Sequence, residues 1–128
     1  MPLVRIALRR GRPAEFGKQA GAIVYRAMRE TIDVPDKDNF QVVTEHDGNG
    51  LVYDPDYLGI ARSDGVIFIQ ITLSQGRSVA LKQALYRAIA DGLNASLGVR
   101  REDVFINLVE VPKENWSFGN GVAQYVQP

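Results

Sequence analysis

The chain has 128 residues, with 15 Lys+Arg against 15 Asp+Glu, one His and no Cys, and 45% of it is hydrophobic. The missing Cys excludes disulfides, thiolate nucleophiles and Cys-ligated zinc, and the balanced charge gives no footprint for nucleic acid or an anionic membrane. The longest apolar run, Val66 to Ile69, is too short to span a bilayer, and the N-terminus lacks the apolar core of a secretory signal, so a cytoplasmic protein is expected.

In chain order, Val4, Ile6 and Leu8 alternate with Leu3, Arg5 and Ala7, the period of a strand. Helical spacing follows at Phe16, Ala20, Ile23, Val24, Ala27, Met28 and Thr31, with Pro13 expected in the first turn, where its missing N–H costs nothing. Asp33-Val34-Pro35-Asp36 ends that helix, because the residue before a proline disfavours helical backbone. Phe40 to Thr44 reads as a second strand, and Glu45 to Gly65, rich in Gly, Asp and Pro, as a linker of loop and short extended pieces. A third strand is expected at Val66 to Leu73. A second helix then starts from Ser78 as N-cap, with a stripe at Leu81, Leu85, Ile89, Leu93 and Leu97, and Val104 to Val111 forms a last strand.

The second half repeats the first. Gly11-Arg12 recurs as Gly76-Arg77, Lys18-Gln19 as Lys82-Gln83, Val34 and Asp38 as Val99 and Asp103, and Phe40 as Phe105. This marks two fused β-α-β-like units in one domain over 1–128: unit one about 2–45, a linker about 46–65, and unit two about 66–121. Right-handed crossovers place both helices on the same sheet face. The other face is then open, yet Val66 to Ile71 and Val104 to Val111 are apolar on both sides, so self-association that buries it is expected in preference to a monomer sealed by the linker.

Pro2 is the most informative candidate. Removal of Met1 would leave a secondary amine, held rigid by its ring at the start of a strand, able to act as base, acid or imine-forming nucleophile. If Met1 stays, that nitrogen is an amide and none of this chemistry is open to it. Arg12 and Arg77 each follow a Gly at a strand end, a placement that suits bidentate capture of a carboxylate and equally suits a solvated cap. Trp116 and Phe118 fit a pocket wall, or equally core or interface. Asp38 is either a site acid or a turn residue, and its repeat partner Asp103 favours the turn. His46 is expected as a loop histidine rather than a general base, and Gly48-Asn49-Gly50 as a turn rather than a phosphate cradle.

Met1-Pro2 leading into a strand, Gly-Arg before each helix, and the doubled unit together resemble the tautomerase superfamily, where a processed N-terminal proline is catalytic and β-α-β pairs assemble as trimers. The segment from Gln75-Gly76-Arg77-Ser78 to Phe118-Gly119-Asn120-Gly121 is similar to a 4-oxalocrotonate tautomerase subunit, with Val66 in the proline's place. Over nearly the whole chain the resemblance is to malonate semialdehyde decarboxylases. It is carried by Met1-Pro2-Leu3, by Val34-Pro35-Asp36-Lys37-Asp38-Asn39-Phe40-Gln41, and by Gly76-Arg77-Ser78, Lys82-Gln83 and Trp116-Ser117-Phe118-Gly119.

The resemblance implies an α/β fold (α+β in some schemes), a four-stranded mixed sheet with two helices on one face, as a homotrimer. It implies Pro2 as catalytic proline, Asp38 as its assisting acid, Arg77 as substrate-carboxylate arginine, Trp116 and Phe118 as pocket wall and Tyr125 as a further pocket aromatic. The family pattern has two arginines flanking a proline where this chain has Gln75-Gly76-Arg77, so half of the cationic clamp is missing unless Arg12 or another subunit supplies it. The implied reaction is decarboxylation of malonate semialdehyde to acetaldehyde and CO2. Alternatives are a tautomerase of 2-keto acids such as phenylpyruvate, with Pro2 as base, and a non-catalytic trimer. A hydratase like the cis-3-chloroacrylic acid dehalogenases is the weakest, since the first helix lacks their histidine and Glu114 is only an approximate water-activating residue. A small carboxylate substrate and self-association are expected, with no nucleic acid or membrane partner, and no cofactor or metal is suggested.

Overall fold

The structure, a computed structural model, describes residues 1–126. It contains β1 (Pro2–Arg9), α1 (Phe16–Ile32), β2 (Phe40–His46), β3 (Ile67–Ser74), α2 (Val79–Leu97) and β4 (Val104–Val111), with short 3-10 turns at Tyr57–Gly59, Arg101–Asp103, Lys113–Asn115 and Gln124–Val126. The four strands form one mixed sheet in the order β2-β1-β3-β4. β1 pairs parallel to β2 and β3 parallel to β4, as two β-α-β units require, and the units join through antiparallel β1 and β3. No helix among the described residues is long and apolar enough to cross a membrane.

Period-two burial shows which face holds the core. Val4, Ile6 and Leu8 of β1 and Ile67, Ile69, Ile71 and Leu73 of β3 are all buried, and they pack under Phe16, Ala20, Ile23, Val24, Ala27 and Met28 of α1 and Leu85, Ile89 and Leu93 of α2. Both helices therefore cover one face. Each fully buried Leu or Ile contributes roughly 1.5–3 kcal/mol relative to exposure, so the two central strands hold much of the stability.

Three expected details differ. Pro13 precedes α1 instead of entering its first turn; its carbonyl accepts the Phe16 N–H at 3.0 Å, closing a turn before the helix begins. Leu81 is 42% exposed, so the packed stripe of α2 begins a turn later, at Leu85. β2 runs past Thr44 to His46, because it pairs with β1 as far as Arg9. Ser78 caps α2 as expected, accepting the Leu81 N–H at 3.2 Å.

On the opposite face, adjacent strands line up Thr44, Ala7, Phe68 and Phe105, then Val42, Arg5, Gln70 and Asn107, then Phe40, Leu3, Thr72 and Val109. The linker does not seal this face within the chain, since Phe40 remains 51% and Phe105 48% exposed.

The helices approach closely at Gly92, where an added Cβ would lie 2.7 Å from Ile23 Cγ2. Gly92→Val therefore overpacks this contact and should lower the unfolding free energy by about 1–3 kcal/mol in urea titrations. A second brace joins the start of α2 to β4, with Lys82 Nζ donating to Glu110 Oε1 at 2.7 Å. Lys82, and after it the Gly76 N–H, hold the Glu110 carboxyl below its ordinary range. A depressed carboxyl contributes stability above its unfolded pKa and loses it as pH falls through the folded value. The wild-type Tm should therefore fall more steeply than that of Glu110→Gln on acidification below about pH 4.5.

Candidate active site

The antiparallel register of β1 and β3 sets the geometry. Pro2 pairs with Leu73, so the N-terminal end of β1 lies beside the C-terminal end of β3 and the Gly76-Arg77 turn that follows it. Gly76 sits at φ +124°, backbone that side chains other than Gly's rarely adopt, which fits Gly between the strand and the arginine. Pro2 itself is buried. It lines a pocket of about 160 Å³ with Met1, Leu3, Phe40, Trp116, Ser117 and Phe118, walls that are mostly apolar.

Asp38 reaches the same end of the sheet from the turn before β2. Its Oδ2 lies 3.6 Å from the Met1 amine, and both side chains are only 12% exposed. The other oxygen, Oδ1, is buried without a hydrogen-bond partner among the described residues, and a buried acceptor left unpaired is costly. The repeat partner Asp103 is treated very differently. Its Oδ1 accepts the Ser63 N–H at 2.7 Å and its Oδ2 the Ser63 hydroxyl at 2.6 Å, with Arg100 Nη1 at 3.6 Å. One repeat aspartate is thus satisfied by the linker, and the other keeps an oxygen free beside the chain's first amine.

Arg77 is anchored by its own backbone surroundings. Nη1 donates to Ser74 O at 3.0 Å and Nη2 to Ile32 O at 3.4 Å, using two of the five N–H donors of a guanidinium. Trp116 Nε1 donates to Ser74 Oγ at 3.1 Å. The indole stacks on Phe118, ring centres 5.5 Å apart, and Phe118 meets Tyr125 edge-on at 4.9 Å. Burial first, then the Asp38 carboxylate, raise the Tyr125 hydroxyl above its ordinary range, while Arg77 opposes them. Pro2, Asp38, Arg77, Trp116, Phe118 and Tyr125 therefore share one end of the sheet. Gln75 adjoins them, exposed at the end of β3, with its N–H on Val111 O at 3.0 Å.

Arg12 does not join them. It follows the opposite end of β1, where its Nη2 donates to Gly65 O and its guanidinium lies 4.2 Å over the Phe16 ring. Burial lowers its pKa, with Asp103 pulling the other way. The antiparallel junction is the reason, because it places the two Gly-Arg turns at opposite ends of the sheet and Arg12 beside the start of β3. Within this chain Arg12 cannot complete the clamp around Pro2.

His46 Nε2 lies 2.8 Å from Thr44 Oγ1 on an exposed surface, and Asp47 Oδ1 accepts the Asn49 and Gly50 N–H groups, making a turn. Glu114 is exposed in the Lys113–Asn115 turn. Phe40 and Ser74 were not legible as site residues, since both look like ordinary strand positions. Only the closure of the sheet's end brings Phe40 into the pocket and Ser74 to the Trp116 indole of its wall.

A protein family described as "Tautomerase enzyme" matches residues 38–119. Probable tautomerase YusQ of Bacillus subtilis (strain 168) is 44% identical over 127 residues, 99% of this chain and 100% of that protein. Probable tautomerase YrdN of the same organism is 32% identical, covering 98% of this chain and 97% of that one. Among solved structures, a malonate semialdehyde decarboxylase inhibited by 3-bromopropiolate superposes with a TM-score of 0.90 at 37% identity, over 97% of this chain and 94% of that one. A fused 4-OT symmetric trimer shares the fold, with a TM-score of 0.79 at 22% identity over 96% of this chain and 97% of that one. Matched over nearly its whole length by curated relatives and over most of its second unit by the family, the chain belongs to the tautomerase superfamily.

Proposed function

We propose that this protein is a proline-dependent decarboxylase of a small 3-oxo acid, converting malonate semialdehyde to acetaldehyde and CO2. The observation that carries the reading is Asp38, whose carboxylate lies 3.6 Å from the Met1 amine, one residue before Pro2, with its other oxygen unpaired among the described residues, at the end of the sheet that also holds Arg77. Likeness to the malonate semialdehyde decarboxylase at 37% identity supports it.

In this reading Met1 is removed and Pro2 becomes the N-terminal amine. Arg77, with donors to spare, binds the substrate carboxylate. The protonated Pro2 hydrogen-bonds the aldehyde oxygen, or its neutral form makes an imine there. Either gives the electron pair of the breaking C–C bond somewhere to go as CO2 leaves, and a proton then returns to the carbanionic carbon; the hydrogen-bonded mode yields acetaldehyde directly, while the imine mode, formed with loss of water, takes up water again to release acetaldehyde and the free Pro2 amine. Asp38 holds the prolyl ammonium or positions water. Trp116, Phe118 and Tyr125 keep the site dry, which strengthens each of these charges, and Gln75 contacts substrate in place of a second arginine. The chain works as a homotrimer, its open sheet face covered by neighbouring copies.

The curated relatives' names favour a second reading, in which neutral Pro2 takes a proton beside a 2-keto group and tautomerises the substrate. The amine's titration separates them: a pKa well above neutrality fits acid chemistry, and one near or below it fits base chemistry.

In protein from its native host the intact mass should lack Met1, and an NMR time course with malonate semialdehyde should show acetaldehyde. Pro2→Ala should lower kcat/KM by about 10²–10⁴-fold. Arg77→Ala should raise KM more than it lowers kcat. Retained Met1, or wild-type turnover by Pro2→Ala, contradicts the mechanism, and phenylpyruvate tautomerisation without decarboxylation moves the assignment to the second reading. Sedimentation should give a trimer for the wild type and smaller species for Phe105→Asp.

A further inference from the structure

Ser74 closes β3 immediately before the Gln75-Gly76-Arg77 turn, and it touches both sides of the pocket end. Its carbonyl accepts Arg77 Nη1 at 3.0 Å, and its hydroxyl accepts Trp116 Nε1 at 3.1 Å. Nothing in the proposed chemistry uses that hydroxyl.

The segment that carries the aromatic wall needs an anchor. After β4 the described chain has only the short turns Lys113–Asn115 and Gln124–Val126, and most of its residues are exposed. Phe118 N–H donates to Gln124 Oε1 and Gln124 Nε2 to Gly119 O, bonds that shape the segment internally without attaching it to the sheet. The indole–hydroxyl bond does attach it, and the stacked Phe118 and edge-on Tyr125 follow the indole. Tyr125 in turn senses both Asp38 and Arg77. A displacement of Trp116 would therefore pass along the whole wall.

We propose that the Ser74 hydroxyl is a positioning group, which fixes the Trp116 indole to the end of β3 and so holds the aromatic wall over Pro2 and Arg77. This rests on the decarboxylase reading only for its kinetic consequence; the structural part stands without it. Ser74 is then a determinant of substrate binding that makes no contact with the reacting atoms.

Trp116 is the only tryptophan among the 128 residues, so intrinsic fluorescence reports on this one contact. In the folded protein, Ser74→Ala should shift the emission to the red, raise acrylamide quenching severalfold, and raise KM for malonate semialdehyde by about fivefold, the scale of one neutral hydrogen bond, with a smaller change in kcat. Ser74→Thr, which keeps the hydroxyl, should restore both. Trp116→Phe removes the donor from the other side and should raise KM similarly, and adding Ser74→Ala to it should change nothing further. Wild-type quenching and KM in Ser74→Ala, wild-type KM in Trp116→Phe, or a full Ser74→Ala effect persisting in the Trp116→Phe background would each overturn the proposal. If the wild-type protein decarboxylates nothing, the decarboxylase reading fails alone, and the fluorescence of Ser74→Ala and Ser74→Thr still decides the role of Ser74 without substrate.

Discussion

Everything at the proposed site depends on the hydrogen-bonded pairing of β1 with β3. Each β-α-β unit, taken alone, places its Gly-Arg turn at the far end of its first strand, about eight residues from where that strand begins. Only the antiparallel junction, with Pro2 opposite Leu73 and Leu8 opposite Ile67, brings the start of one unit's first strand to the end of the other's. The same pairing buries Val4, Ile6, Ile69 and Ile71 side by side on the helix-covered face. The ladder that supports the core is thus the ladder that assembles the pocket, and a slip of one residue would send the apolar set of β1 to the wrong face and carry Pro2 away with it.

Duplication makes two such ends, and the chain has treated them in opposite ways. At the end near Arg12, the linker folds back so that Ser63 satisfies both oxygens of Asp103 and Gly65 occupies the guanidinium. Val66 follows, buried at the start of β3. At the end near Arg77 the linker is not the partner: Asp38 turns Oδ2 to the Met1 amine at 3.6 Å, and its Oδ1 is unpaired among the described residues. The asymmetry follows the connecting segments: the linker crosses the Arg12 end and satisfies Asp103, while the segment after β4 covers the Arg77 end with aromatic rings. A structural role for Asp103 and a chemical role for Asp38 are then compatible with one ancestral turn, and the recurrence of the aspartate does not argue against function at Asp38.

The open sheet face and the C-terminal wall follow a similar logic. Phe40, Phe68, Phe105 and Val109 alternate correctly for strands with two packed faces, yet the helices cover only one. In the proposed assembly that apolar surface is what neighbouring copies bury, and Phe40, on that face and in the Pro2 pocket at once, would connect assembly to the site. The wall itself has little secondary structure to hold it. Its order depends on ring stacking and on single polar contacts such as that between Trp116 and Ser74.

Much of this was present in the sequence. The period-two runs of β1, β3 and β4, the helical stripes, the Ser78 cap and the doubled Gly-Arg turns depend on neighbours within a few residues, where backbone sterics and amphipathic spacing act directly. The Met1-Pro2 start and the Trp116 to Gly119 motif pointed to the superfamily for the same local reason. What the sequence could not decide was which repeat element meets which. Arg12 and Arg77 are equivalent in sequence, as are Asp38 and Asp103, and only strand order and direction separate them. Ser74 and Phe40 join the pocket through contacts between residues distant in the chain. Such contacts depend on how the two units dock, and docking follows from burial of the whole apolar face rather than from any one motif.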